Sequence, residues 1–102
     1  MTRILYDGPA GTSRLRVTAR PTAALAPQSE WLVRFNRCSK KRTELNQTAA
    51  WMPRLNAWDQ TSWHPIGSRL IPPAVLADVE AWLRGRPVGD FQDTITTTTE
   101  AP

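Results

Sequence analysis

One segment of the chain carries a full set of helix signals, and it constrains the fold more than any other feature. Pro73 suits a first helical turn, because its φ angle is already helical and its missing N–H would be unpaired there. Apolar residues then recur at the helical period and form one stripe: Val75, Leu76, Val79, Trp82 and Leu83. Gly85 can adopt the left-handed conformation that ends a helix. A helix with one apolar face needs a surface to cover it, and we expect a small sheet to provide that surface.

Two segments before this helix alternate between apolar and polar residues, which is typical of half-buried strands. The first covers residues 14–20 and the second residues 31–38. Their apolar faces carry Leu15, Val17 and Ala19 in the first segment and Trp31, Val33 and Phe35 in the second. If both apolar faces pack under the helix, the opposite faces place four basic residues on one exposed surface: Arg14, Arg16, Arg20 and Arg34.

Shorter patterns flank these strands. Residues 4–6 predict a short edge strand, and the glycines and proline of residues 7–11 predict a turn or loop after it. Residues 37–43 predict a basic hairpin tip. Because no Gly or Asn-Gly pair lies in this tip, we expect a longer, mobile loop rather than a tight turn.

Residues 44–70 allow two interpretations. The favoured one has a strand over residues 47–52, a turn over residues 59–62 and a last strand over residues 63–71 that leads into the helix. The alternative is a short helix over residues 53–58, since a proline at position 53 suits a helix start.

The predicted fold class is α+β, with a small antiparallel sheet of three to four strands followed by one C-terminal amphipathic helix packed on it. A chain of 102 residues suits a single modest core. We expect an N-terminal segment (1–13), one basic domain (14–89) and a disordered acidic, Thr-rich tail (90–102). No apolar run approaches the ~20 residues that span a bilayer, and the first residues lack the apolar stretch of a secretory signal. A cytoplasmic protein without a membrane partner is therefore the expectation.

The sequence offers little for catalysis. Cys38 and His64 are each the only residue of their type, which excludes an intramolecular disulfide and a Cys-rich zinc site. A catalytic thiol–imidazole pair of Cys38 and His64 is the functional alternative. We prefer the structural interpretation, in which Cys38 ends a strand as a small apolar residue and His64 lies in a turn. Neither a phosphate-binding glycine loop nor a metal-ligand spacing nor a nucleophile elbow is present. We expect no enzyme activity, no cofactor and no metal.

Positive charge is concentrated in the middle of the chain, where residues 14–69 carry ten basic and three acidic side chains. Such an asymmetry favours an anionic partner. The candidate nucleic-acid-binding cations are Arg14, Arg16, Arg20, Arg34, Arg37, Lys40, Lys41, Arg42 and Arg54. Three tryptophans of the same region are candidates for stacking on bases, with a place in the core as the alternative: Trp51, Trp58 and Trp63.

Two functions from different classes fit these features. The favoured one is a small, basic nucleic-acid-binding protein of phage or mobile-element type, which binds single strands or duplex backbone without strong sequence preference. The alternative is a non-enzymatic inhibitor or adaptor that docks on an acidic protein surface, such as an anti-CRISPR or other anti-defence factor, with Trp and Arg as anchors. A homodimer is compatible with both functions.

The predicted order of elements, antiparallel strands followed by a helix, is similar to that of the Whirly single-stranded-DNA-binding proteins. The strand-into-helix pattern lies over residues 67–83, and the element order alone is shared, without a diagnostic motif. This resemblance concerns the fold and implies single-strand binding only by analogy.

Overall fold

The computed structural model describes residues 2–22, 30–62 and 69–86. Within these ranges a single antiparallel sheet has its strands in chain order: β1 (Arg3–Ala10), β2 (Ser13–Pro21), β3 (Trp31–Cys38), β4 (Thr43–Met52) and β5 (Ala57–Trp58). A 3-10 turn, Gln60–Ser62, follows the sheet, and α1 spans Pro73–Leu83. The α+β class with a small antiparallel sheet and one helix is confirmed, although the sheet has five strands instead of three or four.

The first strand is longer than predicted. β1 pairs with β2 from Arg3 to Ala10, so the expected turn over residues 7–11 is wrong and only Gly11 and Thr12 turn the chain. Pro9 is compatible with pairing because β1 is an edge strand, where a missing N–H need not interrupt the ladder. Gly11 has a φ of 65°, the left-handed conformation that glycine adopts without strain.

The hairpin tip between β3 and β4 is a tight turn, which corrects the prediction of a longer loop. The Ser39 N–H donates to the Arg42 carbonyl at 2.9 Å and closes the turn. The Ser39 hydroxyl in turn accepts from the backbone N–H groups of Lys41 and Arg42, at 3.2 and 3.3 Å. A serine side chain therefore supplies the hydrogen bonds that close a turn without glycine.

The segment after β3 also differs from the prediction. β4 begins at Thr43, four residues before the predicted strand. The pairing of β4 with β3 has a bulge between Arg37 and Cys38 of β3. Residues 53–56 form a turn instead of the alternative helix, and the two-residue β5 returns along the end of β4. Of the predicted last strand, 63–68 lie outside the described residues and 69–71 are turn and bend. The predicted tail, 90–102, also lies outside them.

The core lies on one face of the sheet. Alternate residues of β2, β3 and β4 point into it, because successive side chains of a strand face opposite sides. The same buried cluster contains Val75, Val79 and Leu83, which are three members of the predicted helix stripe. Burial of these aliphatic and aromatic side chains supplies the main stabilising free energy of a domain this small. The strand residues of the cluster are Ala10, Leu15, Val17, Ala19, Trp31, Val33, Phe35, Leu45, Ala49, Trp51 and Trp58.

Polar contacts join α1 and the residues just after it to β5 and to the turn that precedes β5. The Trp58 indole N–H donates to Glu80 Oε2 at 2.7 Å. Gly85 has the predicted left-handed conformation, with a φ of 69°, and its N–H donates to Asn56 Oδ1 at 2.8 Å. The side chain of the turn after β4 thus satisfies a backbone group just beyond the helix.

Candidate nucleic-acid interface

The face of the sheet opposite the core carries arginine. Arg14, Arg16 and Arg20 on β2 and Arg34 on β3 are all exposed, as the alternation predicts, and we call these four residues the arginine face. The strand register sets Arg16 opposite Asn36 and Arg34 opposite Thr18. The arginines of the two strands are therefore diagonal neighbours, with smaller polar side chains between them.

Asp7 of β1 is the carboxylate that the described strands present on this face. It lies opposite Arg16 in the register, yet it accepts a hydrogen bond from Arg14 Nε at 2.9 Å. Arg16, Arg20 and Arg34 form no ion pair with any residue in the described ranges. The face therefore keeps most of its positive charge available to an anionic partner.

The exposed cations continue onto the turn between β3 and β4. Lys40, Lys41 and Arg42 are all exposed, and we call this the basic turn. It follows Cys38, which pairs with Arg14 in the sheet, so the basic turn extends the arginine face at one end. The hydrogen bonds of Ser39 fix the backbone of the turn, whereas the long basic side chains remain in solvent.

Arg37 does not belong to this surface, although the sequence suggested it as a binding residue. It has the parity of Phe35 and lies on the core side, where its side chain is 16% exposed. Its Nε donates to Glu44 Oε1 at 2.8 Å, and its Nη1 donates to the Leu70 carbonyl at 2.7 Å. The Ser13 hydroxyl donates to the same Glu44 oxygen at 2.7 Å. Hydrogen bonds from Ser13 and Arg37 hold the pKa of the Glu44 carboxyl below its ordinary value.

Arg54 is exposed but distant from the basic turn along the sheet. It lies in the turn after Met52, at the opposite end of β4 from Lys41. The structure therefore does not bring Arg54 together with the basic turn. Leu55 beside it is 68% exposed, which makes this end of the sheet partly apolar.

The tryptophans suggested for base stacking are placed differently. Trp51 is 1% exposed and Trp58 is 6% exposed, so both belong to the core and neither can stack on a ligand in this fold. Their rings meet edge to face, with centroids 5.1 Å apart. Trp63 lies outside the described residues. The expected core position of Trp31 is confirmed, since it is fully buried.

Polar residues between the arginines are the part of the site that the sequence did not reveal. Asn46 Oδ1 accepts from Arg34 Nε at 2.9 Å and holds that guanidinium. Asn36 Oδ1 accepts from the Cys38 thiol at 3.2 Å. The period-two pattern predicts Thr18 and Asn36 on the same side of their strands as the arginines, although not as members of a site. The strand pairing was needed to identify Asn46.

Other kinds of site have no support in the described ranges. No group of three or more His, Cys, Asp or Glu residues lies close enough there to hold a metal ion. Cys38 is half-buried, and His64 lies outside the described residues, so the thiol–imidazole alternative has no described geometry. The helix that the structure describes is too short to cross a membrane.

The chain was compared with protein-family models, with curated proteins and with solved structures. None of the three comparisons gives a match. The geometry of the arginine face and the basic turn is therefore the basis for a functional conclusion.

Proposed function

We propose that the protein binds the phosphate backbone of nucleic acid, either single-stranded or double-stranded, without strong sequence preference. One observation carries the proposal. Seven exposed cations line one face of the sheet and the adjoining turn, and Asp7 is the carboxylate that the described strands set among them. These cations are Arg14, Arg16, Arg20, Arg34, Lys40, Lys41 and Arg42.

The chemistry of the surface suits phosphates more than bases. Guanidinium groups donate paired hydrogen bonds to phosphate oxygens, and lysines add mobile point charges. Each neutralised phosphate releases counterions, which makes binding favourable at low salt. Because Trp51 and Trp58 are buried, neither can stack on a base, and the planes of the exposed arginines are the stacking groups of this face. Contacts to phosphate carry no sequence information directly.

The buried residues of α1 support an open arginine face. Val75, Val79 and Leu83 belong to the same buried cluster as the core-side residues of the strands. The arginines then need no further cover, because a charged sheet face is stable in water and resists association of the sheet edges.

Fluorescence anisotropy of labelled single-stranded and double-stranded oligonucleotides, over a series of salt concentrations, tests this function. We expect the logarithm of the binding constant to fall linearly with the logarithm of salt concentration. The triple variant Lys40→Gln, Lys41→Gln, Arg42→Gln should bind at least tenfold more weakly, whereas Arg54→Gln, which also removes an exposed cation, should have a much smaller effect. Absence of binding at low salt, or an unchanged affinity of the triple variant, would contradict the proposal.

A protein partner is the second candidate, and a different part of the surface favours it. The exposed Leu55 borders a recess of about 400 Å³ that is also lined by Glu30, Met52, Pro53 and Arg54. Arginine is a frequent interface anchor, and Leu55 adds apolar area beside Arg54. A one-to-one protein complex that survives nuclease treatment and is abolished in Leu55→Ser would favour this inhibitor or adaptor function.

A further inference from the structure

Two arginines of the arginine face converge on one recess. Arg16 of β2 and Arg34 of β3 line a recess of about 250 Å³ together with Thr2, Thr18 and Asn36. The strand register explains why, because Arg16 pairs with Asn36 and Arg34 pairs with Thr18 two positions further along the ladder, on the same face. Arg16 and Arg34 therefore stand diagonally across the β2–β3 ladder on one face, with a hydroxyl and an amide beside them.

Neighbouring side chains orient two of the donors in the recess. Asn46 Oδ1 accepts the Nε–H of Arg34 and leaves its terminal nitrogens to donate elsewhere. The Cys38 thiol donates to Asn36 Oδ1, which assigns the amide oxygen to Cys38 and leaves the amide nitrogen as a donor. Fixing a donor before binding lowers the entropy cost of forming a contact.

The described residues that line the recess carry two positive charges and no carboxylate, and Asp7 lies opposite Arg16 in the register but is bound to Arg14. Neither Arg16 nor Arg34 forms an ion pair with a described residue, since Asp7 is bound to Arg14. A compact group with several acceptor oxygens and a negative charge would satisfy both guanidinium groups and the neighbouring amide. A phosphate group has these properties.

We propose that this recess binds one phosphodiester group of a nucleic acid, held by Arg16 and Arg34 together. The inference rests on the proposed nucleic-acid function and adds to it a specific contact. The remaining cations then bind phosphates on either side of this position, and the lysines of the basic turn each bind a separate phosphate.

A matched pair of double variants tests the shared site. Arg16→Gln with Arg34→Gln removes two charges, and Lys40→Gln with Lys41→Gln also removes two. For single-stranded oligonucleotides the salt slope changes by about 0.7 for each phosphate that the protein no longer neutralises. We expect the arginine pair to lower the slope by about 0.7, because the two arginines share one phosphate. The lysine pair should lower it by about 1.4, because each lysine binds its own phosphate. All four side chains are exposed, and thermal unfolding of each variant checks that the fold is retained.

Equal changes for the two pairs, or no change for the arginine pair, would overturn the shared site while leaving the proposed function intact. NMR of the arginine Nε–H signals during titration with inorganic phosphate gives an independent readout. We expect the signals of Arg16 and Arg34 to shift together and to fit one binding constant. In Asn36→Asp we expect phosphate to shift neither signal. If phosphate shifts these signals while oligonucleotides do not bind, the phosphate site stands and the nucleic-acid function is wrong. If phosphate shifts neither signal, the site is wrong.

Discussion

Arg37 Nε donates to Glu44 Oε1 at 2.8 Å across the bulge between β3 and β4, on the core side of the sheet. Three residues earlier on the same strand, Arg34 lies on the opposite, exposed face. Two arginines of one strand thus have different roles. One joins the hairpin to the chain before α1 through the Leu70 carbonyl, and the other is available to a ligand.

Replacement of Arg37 should affect stability rather than binding. Arg37→Gln removes a charged donor from the Leu70 carbonyl, and a hydrogen bond to a charged group contributes about 1.5–3 kcal/mol. We expect a decrease of this size in the free energy of unfolding, measured by urea denaturation. Lys41→Gln is the matched control, since it removes an exposed charge and should change stability by less than about 0.5 kcal/mol. A larger decrease of oligonucleotide affinity in folded Arg37→Gln than in Lys41→Gln would contradict the assignment.

The same cluster predicts how stability depends on pH. Hydrogen bonds from Ser13, which has the larger effect, and from Arg37 lower the pKa of the Glu44 carboxyl below its ordinary value of 4.5. A pKa that is lower in the folded state gives stability that is present above pH 4.5 and disappears as pH falls through the folded pKa. Urea midpoints between about pH 7 and about pH 3 should therefore fall less steeply in Glu44→Gln than in the wild type.

Asp59 contributes with the same sign, because the hydroxyl and the backbone N–H of Thr61 lower the pKa of its carboxyl below 3.8. Glu44→Gln should therefore flatten the pH dependence without abolishing it, and Glu44→Gln with Asp59→Asn should flatten it further. An identical profile for Glu44→Gln and the wild type would show that the cluster does not form.

Two buried tryptophans should respond differently to the same substitution. The Trp58 N–H donates to Glu80, whereas the Trp51 N–H is buried without a hydrogen-bond partner among the described residues. Trp→Phe removes similar volume at both positions, but at Trp58 it also removes a charged hydrogen bond, and at Trp51 it removes an unsatisfied donor. We expect Trp58→Phe to lower the free energy of unfolding by about 2 kcal/mol more than Trp51→Phe. The reverse order in chemical denaturation would contradict these environments.

The Ser39 hydroxyl should keep the backbone of the basic turn ordered. Ser39→Ala removes the acceptor for the N–H groups of Lys41 and Arg42, and we expect stability to decrease by about 1 kcal/mol. Amide hydrogen exchange at these two positions should accelerate, while exchange in β2 stays unchanged. Ser39→Thr keeps a hydroxyl acceptor and should preserve protection. Equal exchange rates in all three proteins would indicate that the hydroxyl does not hold the turn.

The alternation of β2 and β3 predicted the most informative part of the structure. It placed Leu15, Val17 and Phe35 inside and Arg16 and Arg34 outside, because burial of one face leaves a strand a single acceptable orientation. The same rule could have reassigned two residues. Arg37 has the parity of Phe35, and Trp51 has the parity of Ala49, so both belong to the core side.

Local turn chemistry was harder to predict. The length of β1 was missed because Gly8 and Pro9 normally end strands, and only the pairing partner shows that this strand is an edge. The tight basic turn was missed because a side-chain hydroxyl at Ser39 replaces the glycine that such turns usually contain. The recess between Arg16 and Arg34 could not be predicted, since it depends on the register between two strands.

The alternation of arginine and apolar residues also restricts how the strands can pair. A slip of β3 by one residue would turn Arg34 toward the core and expose Phe35, and burying an unpaired guanidinium costs several kcal/mol. Replacing Arg34 by an apolar residue would therefore have two effects: it would remove a proposed phosphate-binding group and reduce the penalty on misaligned hairpins. A folding constraint therefore acts on this surface in addition to the proposed binding role. Its positions can exchange among polar residues far more readily than they can become apolar.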